Sequence, residues 1–181
     1  MDNDLLTIIN LPRPYKDSES DERAMRVADL VRLMQASGGP DQWPSRVPWP
    51  LHQALFEARE ALQQVVLRGS PVDLAAVPCP DVGWKVEHVE GAIRELERSG
   101  LVRLVEVDPF RCQFLAQEGA RQPVRRELML LDPAEAAVIY RAALRWRALA
   151  STSLKNLRIS ASPPSETVRS SIPILRHAPL P

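Results

Sequence analysis

The stretch "HVEGAIRELERSGLVRLVEV", residues His88 to Val107, decides the fold, because its hydrophobic period changes in the middle. Val86, Val89, Ile93 and Leu96 step by three, four and three residues, so they share one face of a helix, with Ala92 beside them. Gly100 then stands where a residue without Cβ ends a helix in the left-handed conformation. From Leu101 the pattern alternates as a strand does, and "DPF" offers a turn before "RCQFLAQ". The spacing predicts a helix over 85–99 that caps directly into a hairpin.

On the N-terminal side, "PCPDVGW" (78–84) breaks the chain with two prolines and a glycine, and "PVDLAAV" (71–77) predicts a short turn of helix. Before it, Pro50 suits a first helical turn, and Leu51, Leu55, Ala58, Leu62 and Val65 form a stripe that ends before Gly69. "PDQWPSRVPWP" (40–50), with four prolines in eleven residues, is expected to be a stiff linker, neither helix nor central strand, with Trp43 and Trp49 packed on the core. "DSESDERAMRVADLVRLMQASGG" predicts an amphipathic helix over 20–36 through Val27, Leu30, Val31 and Met34.

On the C-terminal side, "RRELMLL" (125–131) is a candidate strand. Asp132-Pro133-Ala134-Glu135 has the chemistry of a helix start: a capping Asp, Pro in the first turn, and Glu three residues after the cap. That helix, to about residue 150, turns Ile139, Ala143, Trp146 and Ala150 inward and Arg141 and Arg145 outward. Three segments follow: an acidic arm over 1–19, a domain over 20–150, and a basic Ser/Pro-rich tail over 151–181, expected to be disordered or ordered only by a partner.

Helix, short helix, turn, helix and hairpin is the winged helix-turn-helix order, and "AIRELERSGLVRLVEVDPFRCQFLAQEGAR" resembles the corresponding segment of MarR- and PadR-type regulators. The resemblance rests on Leu96, Glu97, Gly100, Leu101 and Val102, then Leu115 and Gly119, with Ala116 where the family has threonine. It covers residues 50 to 119 and is largely a packing pattern, so it speaks to fold more than to function. It implies an α+β, mostly helical chain: a winged helix-turn-helix with flanking N- and C-terminal helices. It also implies DNA as a partner, a transcriptional regulator's role, and a homodimer formed through the flanking helices.

The 181 residues, 45% of them hydrophobic, suffice for one core, and no apolar run is long enough to cross a membrane, so a cytoplasmic protein is expected. Twenty of the 23 basic residues are arginines, a bias that suits a GC-rich bacterial or phage genome as well as any function. Charge is zero overall but uneven: 6 acids and 2 bases over residues 1–22, and 4 acids and 10 bases over 121–181. Cys79 and Cys112 fit structural thiols, with no disulfide framework and no metal spacing. No phosphate loop, nucleophile elbow or metal-ligand cluster is found, and His52, His88 and His177 fall in unrelated segments, so neither an enzyme nor a cofactor is expected.

The outward face predicted for the third helix carries Trp84, Glu87, His88, Gly91, Arg94, Glu95 and Arg98, flanked by Glu90 and Glu97. Bases are read mainly by Arg, Lys, Asn or Gln, and carboxylates near phosphates cost on the order of 1 kcal/mol each. Two readings therefore stand open. In the first, a DNA-associated regulator grips phosphate through Lys85, His88, Arg94, Arg98, Arg111, Arg121, Arg125, Arg126, Arg141 and Arg145, joined by Lys155, Arg158, Arg169 and Arg176 in the tail. In the second, the same frame is a protein-interaction module or adaptor subunit of a condensin-like, phage or plasmid complex, with a partner backbone crossing Gly91 and Trp84 as anchor. Glu90–Arg94, Arg94–Glu97 and Glu95–Arg98 are the ion pairs that the helical spacing allows.

Overall fold

The computed structural model describes residues 18–44, 49–80, 83–108, 111–117 and 121–161. The arm before Ser18 and the segment after Ala161, with Arg169 and Arg176, lie outside the described residues. The chain runs α1 (Ser18–Ala36), β1 (Gln42–Pro44), α2 (Trp49–Glu57), α3 (Arg59–Leu62), β2 (Val66–Leu67), β3 (Ser70–Pro71), β4 (Ala76–Cys79), β5 (Gly83–Val86), α4 (Val89–Arg98), β6 (Val102–Asp108), β7 (Arg111–Ala116), α5 (Arg121–Leu128) and α6 (Pro133–Ala161). Helices hold 59% of the described residues, beside small antiparallel sheets, so the chain is α+β and mostly helical.

The helix-to-hairpin junction forms as its spacing predicts. Val89, Ala92, Ile93 and Leu96 are buried, and Gly100 takes φ +70°. The Gly100 N–H donates to the Glu97 carbonyl and the Leu101 N–H to the Leu96 carbonyl, both at 3.0 Å, which satisfies the last carbonyls of α4. β6 and β7 then pair from Val102 opposite Ala116, with an irregularity between Glu106 and Asp108.

Elsewhere local preference yields to packing. The proline-rich stretch supplies β1, which pairs with β7 (Trp43 opposite Phe114) and makes a sheet of order β1-β7-β6. β1 is an edge strand, the place where a missing proline N–H costs least. Trp43 is fully buried and Trp49 half-buried.

The single helix expected from Pro50 to Gly69 is broken at Ala58, and Val65 keeps its buried place outside any helix. Arg68 and Gly69, both at positive φ, form the two-residue turn of the β2–β3 hairpin.

The short helix expected over 71–77 does not form. Val72 and Leu74 are buried from an extended segment, the Asp73 carboxylate accepts from the Ala75 N–H at 3.1 Å, and β4 pairs with β5. Trp84 and Lys85 therefore sit on β5, and α4 starts only at Val89, after His88 in the left-handed conformation (φ +63°).

The candidate strand over 125–131 is instead the end of α5 and the turn after it. Val124 is buried, Leu128 packs at the core's edge, and Glu127 holds Arg32 of α1 through two hydrogen bonds of 2.6 and 3.1 Å. Helical spacing puts Val124 and Leu128 on one face, whereas strand alternation would set the charged Arg126 between them on that face.

α6 begins as predicted, with the Asp132 carboxylate accepting from the Ala134 N–H at 2.8 Å. Glu135, expected to turn back toward the cap, accepts instead from the Val66 N–H at 3.3 Å. The helix continues past residue 150 to Ala161.

The core gathers α1 (Val27, Leu30, Val31, Met34), α2 (Leu51, Leu55), α4 and α6 (Ile139, Ala143, Trp146) around the sheet. At its centre Trp43 meets Trp146 edge-on, ring centroids 4.9 Å apart, and tilts against Phe114 at 5.6 Å. Gly39 lies in the same place: a Cβ there would stand 2.9 Å from the Gln35 Cα and 3.1 Å from the Trp146 ring. Gly39→Ala is expected to cost about 1–3 kcal/mol of stability by overpacking, read as a lowered midpoint in denaturant titration.

Candidate functional site

α4 and the β4–β5 hairpin carry most of the residues proposed from sequence, and the two are joined by a buried histidine. His52, on α2 and 2% exposed, accepts a 3.0 Å hydrogen bond at Nδ1 from the Val86 N–H of β5. Its Nε2 points toward the Glu90 carboxylate of α4 at 4.0 Å, and Glu90 is held by the Lys85 ammonium at 2.9 Å. Burial lowers the His52 pKa, Glu90 acts against that shift and Lys85 with it. Burial would raise the Glu90 carboxyl, but the Lys85 hydrogen bond and the charges of Lys85 and His52 leave it below its ordinary range. Lys85 is in turn raised by its bond to Glu90.

Three of the predicted contact residues are thus drawn into the protein's own structure. Lys85 is an ion-pair partner of Glu90, where the helical spacing had offered Arg94. Arg98 pairs with Glu95, as the spacing predicts. Arg145 pairs with Glu57 through hydrogen bonds of 2.6 and 3.0 Å, which lowers the Glu57 pKa.

Gly91 and Trp84 also meet intramolecular neighbours. The close approach that glycine permits is made by α1: a Cβ on Gly91 would lie 3.1 Å from the Ala24 Cβ. Trp84, still 40% exposed, stacks on Phe56 with centroids 4.6 Å apart, and the Arg59 guanidinium lies 4.3 Å from that same ring.

Arg94 makes no ion pair among the described residues and lines a groove of about 370 Å³ between α1 and α4, with Asp21, Ala24, Met25, Gly91, Glu95 and Arg98. His88 borders a polar pocket with Glu19, Ser20, Arg23 and Glu87. Arg125 and Arg126 on α5, and Arg141, Arg147 and Lys155 on α6, are exposed and form no ion pair among the described residues. The side chains of Arg111, Cys112, Arg121 and Arg158 lie outside the described part, and Cys79 is a free, half-buried thiol.

A second surface escaped the sequence reading. Met129 and Leu130, in the turn between α5 and α6, are 85% and 86% exposed, and Tyr140 and Leu144 follow on the outer face of α6. The run "LMLL" resembles a buried strand, and only its placement after a helix that ends at Leu128 turns its middle residues outward. His52 was missed for a related reason: its place between Leu51 and Leu55 on a buried helix marks it as a core residue, while its bond to Val86 depends on a strand that the sequence did not announce.

Among the described residues no three His, Cys, Asp or Glu are placed to hold a metal, and no helix is long and apolar enough to cross a membrane. Comparison with family models, with curated proteins and with solved structures finds no match to this chain.

The His52 hydrogen bond sets a pH dependence. Burial holds the folded His52 pKa below the ordinary 6.5, and only neutral imidazole can accept from Val86 at Nδ1, so the unfolded chain takes up the proton first. Its contribution to stability is complete above about pH 6.5 and is lost as pH falls through the folded value. His52→Asn, which keeps an acceptor but does not titrate there, is expected to remove the part of the pH-stability slope that sets in just below pH 6.5. His52→Leu, which strands the Val86 N–H, should cost about 1–3 kcal/mol at neutral pH.

Proposed function

We propose that the chain is a protein-interaction module on a winged-helix frame, with the α5–α6 turn as its principal contact surface. The frame is supported by element order: α1, β1, α2, then α4 and the β6–β7 hairpin, with β1 joining the hairpin through β7 as the short strand of a winged helix does. The departure is the β2–β5 region, which stands before α4 where a helix-turn-helix pair has its first helix and short turn. The single observation that carries the interaction reading is the exposure of Met129 and Leu130, two adjacent large apolar side chains with more than four-fifths of their surface in water. Tyr140 and Leu144 extend the apolar character onto α6.

The face of α4 supports the same reading. Two of its glutamates, Glu90 and Glu95, are engaged by Lys85 and Arg98, and Gly91 is taken up by α1. What remains is one arginine, Arg94, with no ion pair among the described residues, too little for a base-reading helix. DNA association is the second reading, favoured by the exposed Arg125, Arg126, Arg141 and Arg147, which form no ion pair among the described residues and would hold phosphate without choosing sequence.

Fluorescence anisotropy with random duplex at about 50 mM and about 200 mM salt separates the two readings, because phosphate contacts lose affinity steeply over that range. The interaction module is expected to bind weakly at the lower salt and not at the higher. Crosslinking to a protein partner or to a second copy should be lost in the Met129→Asp/Leu130→Asp variant. Sequence-selective duplex binding abolished by Arg94→Ala would overturn the reading.

A further inference from the structure

On α6 the residues turned away from the core form a stripe of their own. Ala137, Tyr140, Leu144, Ala148 and Ser151 are all exposed and step by three, four, four and three residues. That spacing stays close to the roughly 3.6 residues of a helical turn, so the stripe runs along the axis for about 21 Å. Tyr140 and Leu144, 51% and 41% exposed, are its large apolar side chains. The turn after α1 meets the stripe with a glycine: a Cβ at Gly38 would lie 3.7 Å from the Leu144 Cδ2, so bare backbone borders it there.

The borders of this stripe are cationic. By helical position Arg141 stands on one side of it and Arg147 on the other, both exposed and neither in an ion pair among the described residues. Lys155 lies one turn beyond Ser151 and is exposed as well. Glu135 is the one acid in the sequence of α6, and it accepts from the Val66 N–H. The helix therefore holds no carboxylate of its own to answer the two arginines.

We propose that this face of α6 docks an acidic amphipathic helix of another protein, an inference that rests on the interaction-module reading and names the chemistry of its partner. An apolar ridge on the incoming helix covers Tyr140 and Leu144, and the small Ala137 and Ala148 let its backbone come close. Carboxylates on either side of that ridge pair with Arg141 and Arg147. A second copy of this chain does not supply that charge. In an antiparallel pair of α6 helices crossing at Leu144, Arg141 of each copy falls opposite Arg147 of the other, and a parallel pair sets each arginine against itself. Duplex DNA answers the arginines but offers the apolar stripe between them nothing to bury against.

Fluorescence anisotropy of the full chain with two labelled synthetic helical peptides tests the idea. Both peptides carry leucines at the intervals of the stripe and differ only in the flanking residues, all Glu in one and all Lys in the other. The Glu peptide is expected to bind about tenfold more tightly than the Lys peptide, and Arg141→Glu/Arg147→Glu should invert that preference. Tyr140→Ser/Leu144→Ser should weaken the Glu peptide by about tenfold. No binding of the Glu peptide overturns the proposal, as does a preference unmoved by the charge reversal. Equally tight binding of poly-L-glutamate overturns it too, since charge alone would then suffice. A dimer that light scattering shows dissociating in Tyr140→Ser/Leu144→Ser would give the face to a second copy, with the same result. If the Glu peptide fails while crosslinking to a protein partner still depends on Met129 and Leu130, the interaction module stands and only the acidic helix falls.

Discussion

The edge-on contact of Trp43 and Trp146 is the constraint to which the other elements are fitted. One indole comes from a three-residue edge strand, the other from the middle of the longest helix, and both are fully buried. Each such side chain removes roughly 150–250 Å² from water, so a pair at the centre sets the distance at which α6 lies from the sheet. Neither indole N–H meets an acceptor among the described residues. The contact is therefore held by ring packing and burial, and the chain answers it with a glycine at position 39, where a Cβ would press on the Trp146 ring at 3.1 Å and on the Gln35 Cα at 2.9 Å.

A second knot, smaller and polar, ties the elements that sequence had put forward as a recognition surface. His52 joins α2 to β5 through a backbone N–H and faces the Glu90 carboxylate of α4, which Lys85 of β5 closes from outside. Charge that could have faced a partner is spent within the fold. The same holds at Glu57 and Arg145, where a surface arginine of α6 grips α2. The exposed surface is apolar at the α5–α6 turn and sparsely cationic on the rest of α5 and α6.

The fold was legible in sequence where one segment carried its own boundary signals. α1, the α4-to-hairpin junction with Gly100, and the Asp132 cap of α6 needed only local chemistry, and they formed at nearly the expected residues. The misses share a physical cause in long-range pairing. Pro44 and the prolines around it exclude a central strand, but only the presence of β7 makes Gln42–Pro44 an edge strand. Val65 falls on a helical stripe, yet its burial is satisfied from a turn. Gly91 did mark a close approach, and the approaching atom is the Ala24 Cβ of α1, a helix 60-odd positions earlier that no periodicity within α4 can reveal. The apolar turn at Met129 and Leu130 suggests a strand because hydrophobicity alone does not say which way a residue faces.

The length of α6 has a mechanical consequence. Its last buried residue among the described side chains is Ala150, and Ser151 to Asn156 are half-buried or exposed, yet the helix runs on to Ala161. At 1.5 Å per residue that extension is a rod of about 16 Å beyond the core. A helical rod resists bending far more than a loop of equal length, so it acts as a ruler: anything held at its far end is kept at a fixed stand-off and heading relative to the body that Trp146 anchors.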